Sequence, residues 1–408
     1  MSPIESPSAI TVGTTRRWVM LGCSLVAAMT TTCVVSGFAY LIPALHASGM
    51  SISDASILAA VPTVGLMLAI LGWGVLLDRH GERVILTISL SFTLAGATAT
   101  AVAAWMSAPF GVLAIFLFIG GLSAGAANGA SGRIVVGWFP PAQRGTAMGV
   151  RQMAQPLGIA VCALSMPVIA ADHGVAAALI VPVAVTAVGL LACVVGIIDP
   201  LTPTPSSGTA QAPRNPYRAG SFLARVHAVS VLLVIPQSML WTFVPTWLMV
   251  ARDWSPATAG VLVTITQTIG AFGRIAAGRW SDAWLSRMRP IRVIAAVAGL
   301  AMAALAFTDW LGIGVAVAVM MVASIASVAD NGLAFTAIAE FAGPRWSGRG
   351  LAVQNTAQYL ATAATTPVFG ALISATGFPL AFAVSAVAPL VAIPLVPKDP
   401  APIAESVD

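Results

Sequence analysis

The sequence predicts an all-α membrane protein, with twelve transmembrane helices in two pseudo-twofold-related six-helix bundles. Three observations predict it. Hydrophobic residues make up 58% of the 408 and charged residues only 8%, where a soluble domain carries roughly 25% charged residues. The chain divides into apolar runs of about 20 residues, the length at which an α-helix crosses the hydrocarbon core. One charged hinge pattern appears twice, about 204 residues apart, as expected of a transporter built from two related bundles.

The apolar runs lie near 18–43, 57–77, 84–105, 111–136, 146–170, 175–198, 226–250, 258–280, 292–309, 311–337, 350–374 and 377–397. Short polar breaks such as His46–Asp54 and Arg252–Ser255 separate them. Alternating ten-residue strands are missing, which argues against a barrel. Arg16-Arg17 before the first run has the look of a twin-arginine export signal. The run after Trp18 is longer than a signal core, and it reads as the first retained span.

The segment 199–224 is rich in Pro, Ser, Thr and Ala and has no apolar period. It reads as a cytoplasmic linker between bundles at 1–198 and 225–397, with 398–408 as a tail. Of 19 Lys and Arg residues, 15 fall in segments on one side and only Arg252 in a loop on the other. That bias puts both termini in the cytoplasm. It also accounts for the net charge of +5 without invoking nucleic acid.

The first hinge runs Gly74, Asp78, Arg79, Gly81, Arg83; the second has Gly278, Asp282 and Arg287. An aspartate at a helix end can bond backbone N–H groups of a neighbouring helix or pair with arginine. Gly74 and Gly81 suit close helix approach and a tight turn. The alternative is that these charges only fix topology. Further in, Ala127-Asn128-Gly129 matches Asp330-Asn331-Gly332 at an offset of 203, and Arg151-Gln152 matches Gln354-Asn355.

These residues resemble the major facilitator superfamily. Gly74 to Arg83 fits that family's loop signature G-x-x-x-D-R-x-G-x-R, and Trp138–Gly158 and Ser347–Gln358 are similar to its helix 4–5 and 10–11 junctions. The resemblance implies rocking of two halves about a central site, with the hinges as gating elements, no cofactor and a monomer in lipid.

An ionised side chain inside a bilayer costs at least about 2.5–3.5 kcal/mol, so each needs a reason. Arg151, with Gln152 and Gln155 beside it, is suited to a carboxylate; otherwise it snorkels to the headgroups. Arg274 in the eighth run is a second candidate, since the resemblance to oxalate and monocarboxylate carriers implies a carboxylate-holding arginine there. Asp330, an acid deep in an apolar run, is a candidate proton site, an arginine partner or a packing residue. Asn128, Asn331, Gln237, Trp241, Asn355 and Tyr359 complete the expected substrate-binding set, with packing as the alternative for each. Arg133 reads as interfacial and Glu340 as solvated. Pro236 and Pro245 are expected to kink the seventh run.

The function that follows is secondary transport of a small organic solute, an anion slightly favoured, with Asp330 as a means of proton coupling. Drug efflux by proton antiport is the alternative, but Leu117 stands where that subgroup has an arginine. From another class, a non-transporting sensor remains. The four histidines are scattered and no catalytic constellation or metal-ligand spacing emerges, which argues against an enzyme. The four cysteines lie in apolar runs and read as reduced packing residues.

Overall fold

In the computed structural model, residues 13–140, 143, 147, 150–198, 215–343 and 346–399 are described, apart from the side chains of Asp78, Asn128 and Val136. The expectations for the Asp78 and Asn128 side chains, for most of the 199–224 segment and for the end of the tail fall outside these. The described chain is helical without strands. Twelve spans follow in order: α1 (Thr14–Ala47), α2 (Ile52–His80), α3 (Glu82–Trp105), α4a and α4b (Phe110–Ser123, Ala126–Trp138), α5 (Val150–His173) and α6 (Val175–Gly196). The second half has α7 (Phe222–Ala251), α8 (Pro256–Ala283), α9 (Met288–Trp310), α10a and α10b (Ala316–Val328, Asn331–Ala342), α11 (Ser347–Thr376) and α12 (Phe378–Leu395).

Ten of the twelve are long and apolar enough to cross a membrane unaided. The two others are informative. α4 is broken, and α11 carries Gln354, Asn355, Gln358 and Tyr359 along its length. Large apolar side chains such as Leu68, Phe92, Leu191 and Phe272 are exposed on the outside of the bundle, where only lipid would cover them favourably.

The sequence reading of unbroken fourth and tenth spans is corrected here. Both break, at Ala124–Gly125 and at Ala329–Asp330, close to one repeat apart. A break frees carbonyls that hydrocarbon cannot satisfy, and in α4 three neighbouring helices take them up. Trp73 Nε1–H donates to Leu122 O (2.8 Å), the Ser89 hydroxyl to Ser123 O (2.5 Å), and the Thr31 hydroxyl to Ala124 O (2.9 Å).

The repeat also shows in the caps. Ser51 accepts from Asp54 N–H at the start of α2, and Ser255 from Thr258 N–H at the start of α8. Each half joins its third helix to its fourth by an ion pair, but with reversed sign. In the first half Glu82 opens α3 and meets Arg133 of α4b at 2.5 Å. In the second, Arg287 before α9 meets Glu340 of α10b at 3.0 Å and Asp282 of α8 at 2.5 Å. Hydrogen bonds donated to Glu340 and Asp282 hold the Arg287 guanidinium above its ordinary range. Glu340, expected to be only solvated, is therefore also a partner.

The hinge glycines divide, Gly81 making the expected turn and Gly74 not the expected close approach. Gly81 has φ +82° and makes the turn between α2 and α3. A Cβ on Gly74 or Gly278 would meet nothing within 4 Å, so neither is a point of close approach in this conformation. Close approaches between the two halves lie toward the opposite face. A Cβ on Gly260 (α8) would strike the backbone oxygen of Ala163 (α5), and one on Gly370 (α11) would strike Ser56 (α2). These join the two halves, as does Ser53 N–H donating to Ser374 Oγ at 3.0 Å.

The core follows the same division. On the face away from the arginines, one apolar cluster spans both halves, from Phe38, Leu58 and Met166 to Phe243, Trp247 and Phe382. On the basic face the clusters stay within one half each, around Leu86 and Ile134 in the first and around Ile291 and Ile338 in the second. The conformation is closed at the far face, and its halves are packed separately at the basic face.

Candidate functional site

Between the two packing regions, polar side chains gather where the halves face one another. Arg151 begins α5 and is half-buried. Its Nε–H donates to Ser131 Oγ of α4b at 2.8 Å, and it interacts electrostatically with Tyr359 of α11 in the other half. Two residues the sequence placed in one site thus come together from opposite bundles. Gln155 is half-buried one turn further along α5, whereas Gln152 is exposed on the other side of that helix. Successive residues on a helix point about 100° apart, so Gln152 and Gln155 cannot both join Arg151 on one face.

On the second half, a hydrogen-bonded chain links α7, α10 and α11. Gln358 Nε2–H donates to Ser230 Oγ (2.8 Å) and to Asn331 Oδ1 (3.4 Å), and Asn331 Nδ2–H donates to Gln237 Oε1 (3.1 Å). Gln237 is 3% exposed. One turn on, Trp241 keeps its Nε1–H buried without an acceptor. That indole borders a small gap shared with Tyr40 of α1 and Gln267 of α8. Tyr40 comes from the opposite half. Asn355 turns away from this chain and donates to Leu351 O of its own helix at 3.0 Å.

Asp330 stands at the break of α10 and is 2% exposed. Arg274 of α8 is the charged group facing it. The Arg274 Nε–H is buried with no hydrogen-bond partner. The two groups interact electrostatically within the membrane region without a direct ion pair, and a donor is left over on the guanidinium. Pro236 and Pro245 both lie inside α7, which ends in a π-helical turn at Trp247–Ala251. There Asp309 accepts from Trp247 Nε1–H (2.9 Å) and from Arg252 (2.5 Å), and Arg252 lies over the Trp247 ring. This cluster ties α7 to α9 at the far face.

Sequence reading missed His227. It looked like a helix-end histidine, yet it is only 8% exposed in α7. Its Nδ1 faces Gln354 Oε1 at 2.6 Å and its Nε2 faces the Tyr217 hydroxyl at 3.0 Å. A carbonyl oxygen only accepts, so Nδ1 carries the hydrogen and, in the neutral ring, Nε2 accepts from Tyr217. Gln354, fully buried, passes the chain to Ser230 and so to Gln358 and Asn331. The signal was available: Gln354 matches Arg151 at the repeat offset, and a buried amide needs partners.

Comparison with known proteins bears on this arrangement. The family model for the Major Facilitator Superfamily matches residues 20–366. The chain is 46% identical over 389 residues to an uncharacterized MFS-type transporter, Rv2994, of Mycobacterium tuberculosis (strain ATCC 25618 / H37Rv), covering 94% of this chain and 86% of that one. In fold it is similar to a D-xylose-proton symporter, with TM-score 0.74, 15% identity, and 94% and 98% of the two chains covered. It is also similar to a bacterial homolog of the human lysosomal transporter Spinster in an inward-facing and occupied conformation, with TM-score 0.76, 16% identity, and 94% and 97% covered. With a whole-length family match, a close relative and the twelve-helix two-bundle fold, the chain belongs to the major facilitator superfamily and is a multi-pass membrane transporter, not an enzyme.

Proposed function

We propose that this transporter is a secondary carrier of a small organic anion, driven by alternating access and coupled to protons. The observation that carries the reading is the position of Arg151, held by Ser131 in one half and neighboured by Tyr359 from the other. A guanidinium there offers a bidentate donor face to a carboxylate. Gln237, Asn331 and Trp241 supply neutral donors and acceptors on the opposite wall. The Asp330–Arg274 pair is the coupling element: protonating Asp330 leaves Arg274 uncompensated and changes the charge of the cavity wall.

In this reading the basic face is cytoplasmic, 1–198 and 225–397 are the rocking units, and 199–224 is their cytoplasmic tether. The present conformation is then inward-facing. The far face closes through Gly260 and Gly370, and the basic hinges around Asp78 and Asp282 close the other face in the opposite state. The protein works as a monomer with lipid around its exposed apolar belt.

A solute screen by thermal shift on the purified protein tests the anion site. Carboxylates are expected to raise the melting temperature of the parent, and Arg151→Ala is expected to remove that rise while neutral solutes give none. Stabilisation by carboxylates that survives in both Arg151→Ala and Arg274→Ala would refute the anion site.

A further inference from the structure

We propose that Cys33, Cys162 and Met166 form a binding site for a soft monovalent d¹⁰ cation, of the copper(I) or silver(I) class, inside the first half. The site is distinct from the solute cavity and does not depend on the anion reading.

Two sulfurs of α5 meet α1 at one small residue, and a third sulfur of α1 stands one turn away. Cys162 and Met166 lie one turn apart on α5, on the face toward α1. Gly37 of α1 stands opposite them: a Cβ there would be 3.2 Å from Cys162 Sγ and 3.2 Å from Met166 Sδ. Cys33, one turn before Gly37, points its thiol at Gly158 of α5, one turn before Cys162, and packs in the same buried cluster as Cys162 and Met166. All three side chains are buried, at 1%, 1% and 0% exposure. The Cys33 S–H donates weakly to Gly158 O of α5, at 3.6 Å. Among the described residues no group of three His, Cys, Asp or Glu side chains could hold a metal; the third donor here is a thioether.

The donor set determines the ion. Thiol and thioether sulfur are soft and select copper(I)-like cations, while zinc prefers four ligands drawn from Cys, His and carboxylates. Charge points the same way. A monovalent cation bound by one thiolate, one thiol and one thioether is neutral, and a neutral complex is what a hydrocarbon interior tolerates. Binding breaks one S–H bond, forms metal–sulfur bonds and releases one proton to solvent; nothing is oxidised or reduced. A small adjoining gap lined by Cys33, Phe38, Thr100, Phe116, Met166 and Pro182 offers a route of access.

The test uses the full chain with Cys23→Ser and Cys193→Ser, so that the two other thiols do not contribute. The protein in detergent, free of halide and phosphine, is titrated with silver nitrate, desalted, and read by metal mass spectrometry and thiolate-to-metal absorption. One silver per chain is expected, with the charge-transfer band. Cys162→Ser should lose both. Met166→Leu, which conserves volume, should weaken binding about tenfold, and Gly37→Ala should weaken it by filling the point between the sulfurs while every donor stays in place. Silver retained at one per chain after Cys33→Ser with Cys162→Ser, or none bound by the starting protein, would overturn the proposal.

Discussion

Gly260→Ala is expected to open the far face of this transporter. The new Cβ would collide with the backbone oxygen of Ala163. That oxygen belongs to a packed helix and cannot turn aside as a side chain would, so α5 and α8 must separate. Overpacking of this kind costs about 1–3 kcal/mol, enough to move a two-state equilibrium about 5- to 150-fold. Ser53 N–H and Ser374 Oγ mark the same closure between α2 and α11. With native cysteines replaced, the Ser53→Cys/Ser374→Cys pair should cross-link readily in the parent and about tenfold more slowly with Gly260→Ala. Gly65→Ala is the control, because its Cβ would meet Phe118 O within the first half. It should lower stability and leave the cross-linking rate alone. Equal rates in Gly260→Ala and the parent would show that the far-face contact does not govern closure.

The second large effect is expected at Asp330. In the proposed cycle, Asp330→Asn removes the protonatable group, so uptake of a stabilising carboxylate into proteoliposomes should lose its response to an imposed pH gradient. The same substitution leaves Arg274 facing no carboxylate. Removing the carboxylate's attraction from half-buried Arg274 is expected to lower stability. Adding Arg274→Gln should return most of that loss, since the two changes act on one pair. Proton-driven uptake that persists unchanged in Asp330→Asn would remove this residue from coupling. A double variant no more stable than Asp330→Asn would show that the pair does not interact energetically.

The two-bundle fold was legible because few charges, long apolar runs and a duplicated hinge all act through composition and spacing. Helix breaks were not, because they depend on tertiary partners. Gly120, Gly121 and Gly125 weaken the helix around Ser123 and Ala124 without fixing a break there; Trp73, Ser89 and Thr31 permit it by donating to the freed carbonyls. The same holds for the reversed ion pairs, since Glu82–Arg133 and Arg287–Glu340 meet only after α3 and α4, or α9 and α10, have packed. At the candidate site, spacing identified Arg151, Asp330 and Asn331 as unusual for a membrane interior. It did not show that Tyr359 neighbours Arg151 across the halves, that Gln152 is exposed, or that His227 anchors the amide chain. Those relations depend on how helices distant in sequence are placed side by side.

Spin-label distances at both faces test the central claim most directly. One pair would be Ser53→Cys with Ser374→Cys at the far face, the other His80→Cys with Gly348→Cys at the basic ends of α2 and α11. The claim that two bundles rock about a central site predicts a short far-face distance and a long basic-face distance in the resting protein. A change in solute or pH that lengthens the first should shorten the second. Two distances that rise and fall together, or a basic-face pair that never closes, would contradict it.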